Sequence, residues 1–349
     1  MPDRHGRRWR DLAGRRRVLD LPPRADQRVG LVIDFRYHLV SIIAVFLALA
    51  MGLVLGSTVL NDIVLRSTTQ TADDLSDRNE ELRGDLRSLE DGERTTGQFV
   101  ETMAPRLLAD ELKSKRVVVF AAPGADRSQV RQVSDGVDMA GGTVTGTVTL
   151  RNTYVDKRKV GVLGGLTDTL GKSTELDMPT DAVPAERAAY LLANATVTKD
   201  EEALGKTDDD ATGTLTAFEE AKFLDLSGAP QKRASLAIVV GPAEKYAGNQ
   251  ASVGNDSTVA LASYLDETGA GTVLTAPSDS AGRGGVVTAL RDDQGAQESV
   301  STVDNLDTPP GYVVTTLALA LDGNGSTGQW GSGAGSDAVA PSPSAGSDS

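Results

Sequence analysis

The longest uninterrupted apolar stretch runs from Leu39 to Leu60, 22 residues in which Ser41, Ser57 and Thr58 are the only polar side chains. A helix of that length rises about 33 Å, enough to cross a hydrocarbon core of about 30 Å. It has no polar face, as a core helix of a globular domain would. Ala48-Leu49-Ala50 has the form of a secretion-signal cleavage site, but the apolar run continues ten residues past it. Signal cores span about 7–15 apolar residues, so the pattern predicts an uncleaved membrane anchor over residues 39–62. Within it Ala44, Ala48, Gly52 and Gly56 recur at every fourth position, a small-residue stripe on which two membrane helices pack closely.

Beyond the anchor the period changes to seven. Leu65, Ala72, Asn79 and Leu86 fall at heptad position a, and Leu75, Leu82 and Leu89 at position d. This predicts a coiled-coil stalk over 63–112 in which Asn79 sets the register. The flanking pairs of a parallel homodimer, Arg78 with Arg83 and Asp85 with Glu90, are like-charged, and Gly84 costs about 1 kcal/mol in a helix. The coil is therefore short and marginal, and either a second copy or a different chain completes it.

From Lys115 the pattern becomes strand, helix, strand. "KRVVVFAAPGAD" and "TVTGTVTL" flank the helical "RSQVRQVSDGVDMAGG", and "SLAIVVGPAE" and "TVLTAP" flank "DSTVALASYLDETGAG". Two such units predict a Rossmann-like α/β domain over 113–322 built on a parallel sheet. Further helices are expected over 184–197, 213–224, 284–291 and 310–321, with a strand at "SVSTV". Residues 323–349, rich in Gly, Ser, Ala and Pro, read as a disordered tail.

Charge orients the chain. Ten arginines precede the anchor, whereas Asp62, Arg66, Asp73 and Asp74 follow it, which places the N-terminus in the cytoplasm and the α/β domain outside. Residues 1–38 form a basic segment. Its first 31 residues have no periodicity and read as an over-extended start, with the natural protein beginning near Val32; the rival reading is a basic tail on anionic lipid. The net charge of −14 and the 4 % aromatic content argue against a nucleic-acid partner.

The residue inventory removes most chemistry. There is no cysteine, so disulfides and thiolate metal sites drop out, and the only histidines are His5 and His38. A Ser-His-Asp triad or a histidine metal site beyond the anchor is excluded. Neither strand–helix turn carries G-x-G-x-x-G, and "GGLTDTLGKST" has Leu166 where a phosphate loop needs its first glycine. No catalytic residue and no cofactor is expected. One pattern survives: Asp208, Asp210, Thr212 and Glu219 fall at calcium-loop positions 1, 3, 5 and 12, alongside the plainer reading of an acidic linker followed by a helix. His38 reads as an interfacial residue beside Tyr37 and Arg36.

The opening "IDFRYHLVSIIAVFLALAMGLVLGSTVL", the heptads, "VVVFAAPGAD", "GGTVTGTVTL" and "GAGTVLTAP" occur in that order. Together they resemble the MctB family of actinobacterial copper transporters, also called copper transport outer membrane proteins, from about Val32 to Trp330. The resemblance implies a membrane-anchored envelope protein, no enzyme, acting in copper efflux or homeostasis as an oligomer. It implies copper as the cargo and, by the family's name, an outer-membrane location. Copper sites favour Cys, Met and His, and beyond the anchor only Met103, Met139 and Met178 are present. The alternative is a non-catalytic coiled-coil scaffold whose α/β head binds a partner in wall remodelling or division.

Overall fold

A computed structural model describes residues 35–174 and 176–342. The expectations for residues 1–31 and for 343–349 lie outside the described residues. The chain divides into two compact units, one ending at Arg83 and one beginning at Gly84. Helix α1 (Phe35–Leu107) contributes residues to both.

In the first unit α1 carries one span, Phe35–Ser57, that is long and apolar enough to cross a membrane, with a mean hydropathy of 2.7. Its large apolar side chains, Ile42, Phe46, Leu49 and Leu53 among them, are exposed, as a lipid-facing surface requires. This fits a single-pass anchor.

The second unit is a mixed α/β domain around a seven-stranded, mostly parallel sheet. Its strands are β1 (Arg116–Ala121), β2 (Thr143–Leu150), β3 (Leu224–Gly228), β4 (Leu236–Val240), β5 (Gly271–Thr275), β6 (Ser301–Val303) and β7 (Gln329–Trp330). They lie in the order β3-β2-β1-β4-β5-β6-β7, and only β3 is antiparallel to its neighbour. The central strands β1, β4 and β5 are runs of Val, Ile, Leu, Ala and Thr buried on both faces, which is what a sheet covered by helices on both sides demands.

One face is packed by α3 (Val160–Ser173), α4 (Pro184–Thr196), α5 (Asp209–Glu220), α6 (Ala251–Thr268), α7 (Val286–Asp292) and α8 (Gln294–Ser299). The other is packed by α2 (Arg127–Met139), α9 (Gly311–Asp322) and the last turns of α1. Val100, Ala104, Leu108 and Leu112 repeat at every fourth residue and are buried in this second core. The stalk expected over 63–112 therefore gives up its last residues to the globular unit, Val100 and Ala104 from the end of α1 and Leu108 and Leu112 from the turns after it.

Three further differences from the sequence reading have local causes. Residues 213–224, expected as one helix, divide: α5 starts earlier, at Asp209, capped by Asp208, and the chain turns at Lys222 (φ 64°) into β3. The stretch weighed as a phosphate loop is the helix α3, whose Leu163, Leu166 and Leu170 pack on the first core. The tail expected to be disordered from 323 is ordered as far as 342. Gln329 and Trp330 pair with Thr302 and Val303, and Gly331 donates to the carbonyl of Ala338. Helix α9 crosses on the face opposite to α6, so the β6–α9–β7 connection has the opposite hand to β4–α6–β5, and such crossovers are rare.

Candidate functional site

In α1 the small-residue stripe is unpacked. Ala44 and Ala48 are exposed, and a Cβ added at Gly52 or Gly56 would meet nothing within 4 Å. Leu75, Asn79 and Leu82 in the first unit, and Leu86 and Leu89 in the second, are all helical and exposed, the leucines by 57–70 %. Each of these leucines is an apolar side chain left open on the helix surface. His38 is likewise exposed on α1.

A doubly wound sheet ordinarily takes its ligand where the strand order reverses, outside the carboxyl ends of the strands. Here that point lies between β1 and β4, and the protein's own loops fill it. Ala122 N–H donates to the carbonyl of Val240 (2.8 Å), and Ala243 N–H to that of Gly124 (2.9 Å). Gly124 adopts φ 86°, which glycine accepts freely, and lies against Pro242. Lys245 and Asp279 join the loops after β4 and β5 (3.0 Å). The start of α2 is also occupied: the Asp126 carboxylate accepts from Ser128 Oγ (2.5 Å) and Ser128 N–H (2.6 Å). These bonds, the side-chain one first, hold its carboxyl below the usual range. It sits where a phosphate would otherwise bind a helix N-terminus.

The acidic pattern around α5 takes helical form. Asp208 is the N-cap, accepting from Ala211 N–H (2.6 Å) and paired with Arg233. Asp210 and Thr212 follow inside the helix, and Glu219, more than two turns on, accepts from Leu226 N–H (3.2 Å). The four residues are thus strung along a helix and its cap. Asp208 and Asp210, but not Glu219, line a cavity of ≈ 240 Å³ beside α4.

Two buried polar centres had no signal in the sequence reading. Arg291, at the end of α7, and Asp304, just after β6, are 6 % and 0 % exposed and lie 2.8 Å apart. The guanidinium also donates to Thr302 Oγ1 and to the carbonyls of Trp330 and Ala334. Asp304 accepts in addition from Ser332 and Gly333 N–H. The charged groups of the pair are thus met on several sides by backbone and hydroxyl partners, the condition under which a buried ion pair is tolerated. The second centre is Asp322, the last residue of α9, which accepts from Thr272 N–H (2.7 Å) and Ser301 Oγ (2.5 Å) with no cation bonded to it. Burial pushes its carboxyl up to about 7.

Copper donors are scattered. Met103 is on α1, Met139 ends α2, and Met178 packs over Gly171 against the first core. Among the described residues no group of three or more His, Cys, Asp or Glu side chains is placed to hold a metal ion.

Comparison with known proteins bears on the whole chain. The family described as "Copper transport outer membrane protein, MctB" matches residues 32–341. The "Copper transporter MctB" of Mycobacterium leprae (strain TN) is 33 % identical over 319 residues, covering 88 % of this chain and 99 % of that protein. The proteins of the same name from Mycobacterium tuberculosis (strain ATCC 25618 / H37Rv) and Mycobacterium bovis (strain ATCC BAA-935 / AF2122/97) are each 31 % identical over 316 residues, with the same coverage. With the anchor, the α/β sheet and its C-terminal edge all inside the matched range, this chain belongs to the MctB family.

Proposed function

We propose that this chain serves copper efflux as a single-pass envelope protein that works as a parallel homo-oligomer joined along α1, and that it is not an enzyme. The observation that carries the copper role is the family match, which extends from the anchor through the sheet. The exposed leucines and the bare small-residue stripe support assembly, since among the described residues one chain offers a single helix long and apolar enough to cross a membrane, and a helix alone encloses no path. The arginine excess before the anchor favours a cytoplasmic N-terminus and an extracytoplasmic α/β domain. The family's description favours the outer membrane.

The scattered methionines favour a second reading, a non-catalytic scaffold whose α/β head binds another envelope protein in wall remodelling or division. Deleting the gene and measuring cell-associated copper by mass spectrometry, together with cell morphology, separates the two. Copper accumulation that the wild-type gene reverses, and the Leu75→Lys/Leu82→Lys/Leu89→Lys variant does not, supports oligomeric efflux. Normal copper with septation defects rejects it in favour of the scaffold.

A further inference from the structure

Strand β2 alternates. Val148 and Leu150 point into the first core, whereas Thr147 and Thr149 stand on the opposite face. The paired strand β3 repeats this, with Leu224 and Leu226 against the first core and Asp225 and Ser227 beside the threonines. On this opposite face α2 packs on β1 and β2 and toward α9, and Thr147, Thr149 and Ser227 lie beside its flank.

The result is a groove of ≈ 710 Å³ between the flank of α2 and this face of β2 and β3, at the carboxyl end of β1 and β2. Its α2 wall carries Arg127 and Arg131, one helical turn apart, and its floor carries Thr147, Thr149 and Ser227. None of these five side chains has a hydrogen bond or ion pair among the described residues. Two carboxylates lie within electrostatic reach, Asp126 of Arg131 and Asp225 of Arg127, but Asp126 caps α2 and Asp225 is paired with Arg151. In a chain of net charge −14, two guanidinium groups held in no ion pair face a row of hydroxyls. Guanidinium groups match phosphate oxygens in geometry, and the threonine and serine hydroxyls donate to or accept from a polyol. No aromatic side chain lines the groove, so a nucleobase would find no stacking surface.

We infer that this groove binds a polyol phosphate, with the phosphate on Arg127 and Arg131 and the polyol hydroxyls along Thr147, Thr149 and Ser227. Free glycerol phosphate and the headgroup of phosphatidylglycerol offer the same chemistry. The groove borders the filled crevice between β1 and β4, sharing Ala122 and Gly124 with it.

The test is saturation-transfer NMR on the full chain in phosphatidylcholine nanodiscs, titrated with glycerol 3-phosphate, inorganic phosphate and glycerol. Glycerol 3-phosphate should bind at least about tenfold more tightly than either fragment, and Arg127→Gln with Arg131→Gln should weaken it at least about tenfold. Thr149→Val with Ser227→Ala should remove the preference over inorganic phosphate while leaving phosphate binding in place. The four substituted side chains are exposed and make no hydrogen bond or ion pair among the described residues, so the variants should keep the wild-type thermal melt. Adding phosphatidylglycerol to the nanodisc distinguishes the sources: competition identifies the headgroup as occupant, and unchanged binding identifies the free ligand. No binding, or binding unaltered in the double arginine variant, overturns the site. Equal affinity for inorganic phosphate and glycerol 3-phosphate overturns its polyol half.

Discussion

Asp322 makes the stability of the globular domain depend on pH in an unusual direction. Its carboxylate, 5 % exposed, bridges the start of β5 at Thr272 and the start of β6 at Ser301. Desolvation dominates; the hydrogen bond from Ser301 opposes it, and the nearby Asp266 adds to it. The pKa rises from 3.8 to about 7. At 1.36 kcal/mol for each unit of pKa, this corresponds to ~4 kcal/mol. The folded state binds this proton more tightly than the unfolded chain does. Its contribution is therefore complete below about pH 4 and is lost as the pH rises through about 7. Asp266, pushed up to about 6 by burial against the opposing pull of Lys199, adds a loss of the same sign.

The measurement is urea unfolding of the full chain in detergent at half-unit steps from pH 5 to pH 8, followed by Trp330 fluorescence in a Trp9→Phe background. Wild-type stability should fall across this range. In Asp322→Asn the amide keeps an acceptor for Thr272 N–H but carries no charge. The variant should therefore gain on wild type from pH 5 to pH 8 and show a slope flatter by up to ~3 kcal/mol over the interval, since only about two of the pKa units lie above pH 5. Parallel pH profiles for the two proteins would refute the reasoning.

Arg291→Met leaves Asp304 charged and buried, and should cost about 3–5 kcal/mol; a red shift of Trp330 emission ahead of the main unfolding transition would show β7 releasing first. Gly146→Ala places a Cβ 2.6 Å from Pro230 Cδ and from the Ser227 carbonyl oxygen, and should cost about 1–3 kcal/mol by thermal melt. The Leu75→Lys/Leu82→Lys/Leu89→Lys variant should shift the detergent-solubilised chain to a lower mass in light scattering, with no change in the circular-dichroism melt of the α/β domain. Asn79→Leu should strengthen the same association, since a buried Asn at an a position trades stability for register.

The elements legible in the sequence are those whose own side chains decide them. β1, β4 and β5 are buried on both faces and read as apolar runs, and the span from Phe35 to Ser57 is decided by length and hydropathy alone. β3 was hidden because "LDLSG" has only two leucines and follows a helix closely, so the helical reading ran over it. The C-terminal strap was hidden for a different reason. Its glycines and serines carry no pattern, and its order comes from Arg291 and Asp304, 26 or more residues earlier, reaching its backbone. Arg127 and Arg131 have a legible spacing, but the hydroxyls they face depend on β3 pairing outside β2, which no local pattern announces.

The donor chemistry and the family role meet in the arithmetic of assembly. Copper is held by thiolate, thioether and imidazole groups. Among the described residues one chain supplies no thiolate, a single imidazole at His38, and methionines far apart in the chain, Met51 and Met103 on α1 and Met139 and Met178 beyond it. A chain working alone would therefore have to move copper with oxygen donors, which discriminate poorly in its favour. Association along α1 changes the count, because each donor of one chain recurs in every copy. The exposed leucines and the small-residue stripe are thus the features on which the proposed oligomeric copper role rests. This is why the lysine substitutions at Leu75, Leu82 and Leu89 should abolish copper tolerance while leaving the α/β domain folded.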